Sequence, residues 1–272
     1  MNAPLRVDQS RLSAEGEDTN NWSRRVAHAF SRAAPHYRRH ARAQAVMAES
    51  LWPHLPNTAR RIVDIGCGPG DLTCALADHF PEAQLLGVDL SAAMLDAARQ
   101  LSQQPRLTWL CADATQLPLA NASQDLVVSN LAIQWCPDLT ATLRELRRVM
   151  RPGGRAVINT LAPGTLSEIE HVWRRPGTPS GLLQFRDAAQ HRLAAQLSGW
   201  SDIAIEEFQQ RFYYPDLKAV MNSIKGVGAQ LSGSSTQRTR SDIQRARHRY
   251  ETLRESEGLP VSYQRLTLVL DA

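Results

Sequence analysis

Apolar residues recur along this chain in two alternating rhythms. The first stretch, residues 22–55, follows the helical period and reads as two helices broken near Pro35. In "WSRRVAHAF", Trp22, Val26, Ala29 and Phe30 fall on one helical face. Short, β-branched apolar runs then alternate with helical segments. "RRIVDIGCGPG" is a strand running into glycines, "DLTCALADHF" a helix and "AQLLGVDLS" a second strand. "SAAMLDAARQL" is a helix with Ser91 as N-cap, "LTWLCADA" a third strand and "QDLVVSNLAIQW" a fourth. "DLTATLRELRRVM" is a helix stopped by "RPGG", and "GRAVINTL" is a fifth strand. Such alternation predicts an α/β fold whose mostly parallel sheet is covered on both faces. Ligands in such sheets bind at the carboxyl ends of the strands, near the point where strand order reverses. Attention therefore falls on the first strand-to-helix turn.

Beyond residue 161 the alternation loosens. "LSEIEHVW" and "RDAAQHRLAAQLSG" read as helices, and "IAIEEFQQRFYY" as a sixth strand. The helices "PDLKAVMNSIKG" and "RSDIQRARHRYETLRES" precede a final strand, "SYQRLTLVLDA". Residues 215–261 thus form a helical insertion before the last strand, placed over or beside the ligand end of the sheet. No internal repeat is visible.

Composition narrows the picture. The 272 residues suit one sizeable domain, expected over 22–272 after a polar, loose tail at 1–21. No apolar run is long enough to span a membrane, and the polar start lacks a secretory core, so the expected location is cytoplasmic. Cys67, Cys74, Cys111 and Cys136 form no Cys-x-x-Cys pair and have no histidine cluster beside them, so no metal site is expected. The net charge is +4, and arginine-rich runs such as "TQRTRSDIQRARHRY" favour an acidic partner.

The chemistry-bearing stretch is "VDIGCGPGDL", with Asp64, Gly66, Cys67, Gly68 and Gly70 between a strand and a helix. Glycines let a ligand approach the backbone closely, and the helix start offers amide donors to an anion. A dinucleotide fingerprint places its third glycine one residue later, and here an aspartate precedes the first. A ligand carrying both an ammonium and a carboxylate fits better than a pyrophosphate. Asp89, at the end of the second strand, can take both hydroxyls of a ribose. Asp113, followed by Ala114, stands at the third strand end, where an exocyclic amine of adenine would lie. Asn130 and Leu131 follow the fourth strand and would line the reactive end of the site.

Together these residues resemble the S-adenosylmethionine-dependent methyltransferases of the seven-stranded, Rossmann-like kind. The match covers residues 60–161 and implies that the last strand of the sheet is antiparallel. It also implies that the 64–70 loop holds the methionine part of the cofactor, with Asp89 on the ribose and Leu90 and Met94 against adenine. "AFSRAAPHY", "SNLAIQWCPDL", "LRELRRVMRPGG" and "SIKGVGA" further resemble, in this order, the malonyl-acyl-carrier-protein O-methyltransferases of biotin synthesis.

That narrower resemblance implies methyl transfer to the free carboxylate of a malonyl thioester on acyl carrier protein, leaving S-adenosylhomocysteine. The ester would hide the charge so that fatty-acid elongation accepts the chain as a primer. Tyr37 would lie over the cofactor, and Gln134 and Trp135 would line the acyl pocket. Lys225 would face an anion from a lid in which Gly226 and Gly228 let the chain turn. Arg238, Arg240, Arg245, Arg247 and Arg249 would meet the acidic carrier. Two alternatives are a small carboxylate such as trans-aconitate, and RNA. Against RNA, the stretch after the fourth strand reads "NLAI" and carries no aromatic-proline amine-methylation motif, so no nucleic acid partner is expected. A third is a cofactor-binding scaffold without turnover.

Overall fold

The computed structural model describes residues 9–174, 183–227 and 239–272. The first helix, α1, runs Gln9–Ala33 and so begins well ahead of Trp22, inside the stretch expected to be a loose tail. It is followed by two short helices, α2 (Tyr37–His40) and α3 (Arg42–Ala48). The alternating core comes next: β1 (Arg61–Ile65), α4 (Asp71–His79), β2 (Gln84–Asp89), α5 (Ala92–Leu101) and β3 (Leu107–Cys111). It continues through β4 (Gln124–Asn130), α6 (Leu139–Val149) and β5 (Met150–Leu161). The last part holds α7 (Ser167–Trp173), α8 (Ala188–Leu197), β6 (Asp202–Tyr214), α9 (Leu217–Lys225), α10 (Arg240–Glu251) and β7 (Leu259–Asp271).

The strands form one seven-stranded sheet in the order β3-β2-β1-β4-β5-β7-β6. All neighbours from β3 to β5 pair in parallel, and β7 runs antiparallel to both β5 and β6. Central strands are buried on both faces, because successive side chains point to opposite layers. On β4, Val127 packs with α6 and α8 through Leu143, Leu146 and Ala195, while Leu126 and Val128 join Leu76 and Ala77 of α4. Strand order reverses between β1 and β4, which opens a crevice at their carboxyl ends.

The "RPGG" run does not end the helix in a loop. It lies within β5 as an irregularity: Gln124 pairs with Met150, but Leu126 already pairs with Arg155. A proline is tolerated there because the ladder is locally broken, and Gly153 takes the left-handed φ of +75° that the detour needs.

The helices between β6 and β7 start from the carboxyl edge of the sheet, since β6 runs parallel to β5. They own a separate apolar cluster, in which Val220 and Ile224 of α9 and Ala246 and Tyr250 of α10 meet α7, Met47 of α3 and the start of β7. Asp216 caps α9 by accepting from the Ala219 amide at 2.7 Å, and Thr239 and Asp242 form a capping box on α10. No described helix is long and apolar enough to cross a membrane.

Candidate active site at the carboxyl ends of β1 and β4

The turn after β1 is built around left-handed backbone. Gly66, Gly68 and Gly70 have φ of +70°, +55° and +87°. At Gly66 the glycine is also required sterically, because a Cβ there would come within 2.1 Å of the Ala132 Cβ after β4. The loop amides are mostly spent inside the protein. Gly66 and Cys67 both donate to the Val88 carbonyl, at 2.7 and 3.0 Å, and Gly68 donates to Asp89 at 2.9 Å. The donors left for a ligand belong to the first turn of α4, whose N-cap Gly70 has no side chain to satisfy them.

Asp89 is held from two sides. One carboxylate oxygen accepts from Gly68 and the other from the Ser91 amide at 2.8 Å. The carboxylate borders the crevice, whose lining also includes Leu90, Met94, Ala114 and Asp113. Asp113 is fixed by Thr115 and by Ser23 of α1, so the N-terminal helix closes this end. Burial pushes the Asp89 carboxyl up, against the backbone amides of Ser91, Gly68 and Leu90 that lower it.

Asp64 is buried and accepts from the Thr73 hydroxyl at 2.7 Å. It borders a second cavity, shared with Tyr37, Gly66, Gly68 and Asn130 and rimmed by Arg38 and Arg42. Burial raises its pKa from 3.8 to about 7, with the Thr73 hydrogen bond opposing and the nearby Asp89 adding to the rise. The folded state thus prefers the protonated form. The stability this gives is full below the unfolded carboxyl pKa and is lost as pH rises through 7. The melting temperature of the ligand-free protein is therefore expected to fall relative to Asp64→Asn between pH 5 and 8. A constant difference over that range would contradict the assignment.

Tyr37 occupies the junction. It lines the Asp89 crevice, the Asp64 cavity and a third, apolar cavity behind it. Its neighbour Arg38 pairs with Asp71 at the start of α4, an exposed contact that ties α2 to the glycine turn. Burial, with Asp89 and Asp71 nearby, raises the phenol pKa, so the hydroxyl remains a donor. Leu131, at a left-handed φ of +58°, separates the crevice from the apolar cavity. Trp135 borders both, with Phe30 edge-on at 5.5 Å and its carbonyl held by the Trp22 indole at 2.8 Å. Asn130 connects the layers, donating to the Gln44 carbonyl and accepting from Asn159.

Gln134 lines the apolar cavity, but its amide donates to the Leu131 carbonyl at 2.8 Å and accepts from Thr160 at 3.3 Å. It thereby fixes the Leu131 turn. Lys225 is exposed and lines none of the three cavities; its neighbours Ile224 and Val227 face the apolar one. Gly226 does not turn the chain either, since its φ is an ordinary helical −64°. A Cβ there would come within 2.3 Å of the His40 ring, so the missing side chain lets α9 dock on α2, the helix that carries Tyr37. Gly228 and Arg238 lie outside the described residues. Arg240, Arg245, Arg247 and Arg249 are exposed on α10. The sequence reading passed over Gln44 and Tyr263 in the apolar wall, because no local motif marks either.

Comparison with known proteins agrees with this fold. Residues 63–158 match the family model of a methyltransferase domain. The chain is 37% identical over 243 residues to a malonyl-[acyl-carrier protein] O-methyltransferase of Hahella chejuensis, covering 88% of this chain and 87% of that protein. It is 36% identical to a biotin biosynthesis bifunctional protein of Cellvibrio japonicus over 91% of its own length, and spans 50% of that longer relative. The crystal structure of the YcgJ protein from a Bacillus species has a TM-score of 0.58 at 17% identity, covering 83% of this chain and 97% of that one, which shows the shared Rossmann-like fold. The chain belongs to the malonyl-[acyl-carrier protein] O-methyltransferase family, within the methyltransferases that use S-adenosylmethionine.

Proposed function

We propose that this chain methylates the free carboxylate of a malonyl thioester carried on acyl carrier protein, using S-adenosylmethionine. The observation that carries this reading is Tyr37, which walls both the Asp89 crevice and an apolar cavity with no charged side chain in its described lining. The chain's own groups fit the cofactor: Asp89 keeps lone pairs for two ribose hydroxyls, Asp64 awaits a cation, and the first turn of α4 offers amides to a carboxylate. When bound, S-adenosylmethionine supplies an electrophilic methyl on a sulfonium and leaves as S-adenosylhomocysteine.

The remaining work is positioning. A malonyl carboxylate is ionised at neutral pH, with an ordinary pKa of about 4, so no general base is needed. Tyr37 and Leu131 would hold the carboxylate oxygen in line with the methyl, and alignment of this kind is worth roughly 7–11 kcal/mol. Opposite charges cancel during the transfer, so a cavity walled by Phe30, Leu161 and Trp135 that excludes water favours it. Tyr37→Phe is expected to lower turnover about tenfold, the loss of one hydrogen bond to a charged group. Unchanged turnover with unchanged cofactor affinity would remove Tyr37 from the mechanism.

The deciding experiment is mass spectrometry of malonyl-acyl-carrier protein after incubation with the enzyme and S-adenosylmethionine. Acetyl-carrier protein and free malonate serve as controls. A methyl gain on the malonyl carrier alone is the expected result. Gain on free malonate would move the reading to small carboxylates, and no gain would discard it. The exposed arginines of α10 are the surface to which we assign the acidic carrier, in the cytoplasm. Raised salt should then raise the KM for the carrier.

A further inference from the structure

The apolar cavity beside Tyr37 contains two polar groups that the protein itself leaves unused. Tyr263, near the start of β7, is 5% exposed and lines the cavity wall. Its ring packs edge-on against Phe212 at 5.7 Å, which fixes the direction of the phenol. Its hydroxyl makes no hydrogen bond to any described residue. Gln44 of α3 borders the same cavity, and its side-chain Oε1 is buried without a partner. Two other polar groups nearby are satisfied. Tyr250, in the same cluster, donates to the Pro260 carbonyl at 2.8 Å, and the Gln134 amide is engaged at both ends.

Burying an amide oxygen without a partner is unfavourable, and native proteins seldom do it; the Tyr263 phenol beside it lacks a partner as well. Here both face one cavity, on elements far apart in sequence, and that cavity adjoins the cofactor crevice through Tyr37 and Leu131. Resting on the functional reading above, we infer that the Tyr263 hydroxyl and the Gln44 amide are substrate-binding groups that hold the oxygens of the malonyl unit. A malonyl thioester has a carboxylate and a thioester carbonyl separated by a single methylene, so two donors in one small cavity can engage both. Rotation about its last side-chain bond lets the Gln44 amide present its N–H groups to an acyl oxygen.

The neutrality of the pair is chemically apt. A guanidinium or ammonium beside the carboxylate would draw charge from the attacking oxygen, whereas a hydroxyl or amide orients it and leaves it nucleophilic. Burial raises the Tyr263 pKa, so the phenol keeps its proton and remains a donor. An acetyl group offers only the thioester carbonyl, so the pair also favours the dicarboxylic unit.

Tyr263→Phe removes one oxygen, and Gln44→Met keeps the length of the side chain while removing the amide. Each variant should be assayed for KM and kcat with malonyl-acyl-carrier protein, and for S-adenosylhomocysteine affinity by calorimetry. Each is expected to raise the KM for the malonyl carrier about tenfold, with cofactor affinity unchanged. Unchanged KM and kcat in both variants, with an active wild type, would overturn the inference alone. Loss of cofactor affinity alongside activity would mark a structural role and overturn it as well. A wild type that leaves the malonyl carrier unmethylated would overturn the functional reading, and this inference with it.

Discussion

Asp89→Asn is expected to weaken S-adenosylhomocysteine binding by roughly 100-fold or more, on the scale of losing two charge-assisted hydrogen bonds. The substitution is nearly isosteric, so the effect comes from hydrogen-bond polarity. Both carboxylate oxygens already accept from backbone amides, one from Gly68 and the other from Ser91. An asparagine presents an NH2 group to one of those amides, donor against donor, whichever way it is turned. It also offers a ribose a single acceptor in place of two. The amide that loses its partner either stays buried and unpaired or pulls its segment away: the glycine turn for Gly68, the start of α5 for Ser91. Calorimetry with S-adenosylhomocysteine measures the affinity, and thermal denaturation shows whether the fold survives. Affinity within a few-fold of wild type would mean that Asp89 serves the turn and not the ligand.

Gly66→Ala should cost more stability than any other single methyl added to the turn. Two effects add there. The left-handed backbone is unfavourable for alanine by about 1 kcal/mol, and the new Cβ would stand 2.1 Å from the Ala132 Cβ. Overpacking of that kind costs about 1–3 kcal/mol, because β1 and the segment after β4 must move apart. Gly68→Ala is the control: it shares the left-handed φ, yet a Cβ there meets nothing within 4 Å. At about 2–4 °C per kcal/mol for a chain of this size, Gly66→Ala should melt well below Gly68→Ala. Equal melting temperatures would show that the close approach of the two segments is unimportant. The clash lies at the floor of the crevice, so the same substitution is expected to impair cofactor binding where any folded protein remains.

These two residues were also the most legible in the sequence. A glycine run after a buried strand, with an acidic residue at the next strand end, is a local pattern with few other physical uses. The alternation of strands and helices fixed the sheet in the same way, and Ser91 caps α5 as its position indicated. What the sequence concealed depends on contacts between distant segments. Gly226 reads as a turn glycine, but its role appears only when α9 is laid against His40. Lys225 is conspicuous as a charge, yet the helix face places it in solvent and turns Ile224 toward the cavity. Tyr263 lies in a strand with unremarkable alternation, and only the insertion of β7 between β5 and β6 brings it to the apolar cavity.

That insertion bears on the order in which the molecule assembles. β6 touches the sheet only through β7, yet it is made before α9, α10 and then β7 have left the ribosome. Until then β5 and β6 have no common neighbour, and both present open edges to any other extended chain. The half from β1 to β5 relies on closer pairings and can consolidate early, whereas the wall of the apolar cavity waits for a strand threaded between two others. Until β7 pairs, the apolar cavity lacks the wall that Tyr263 supplies.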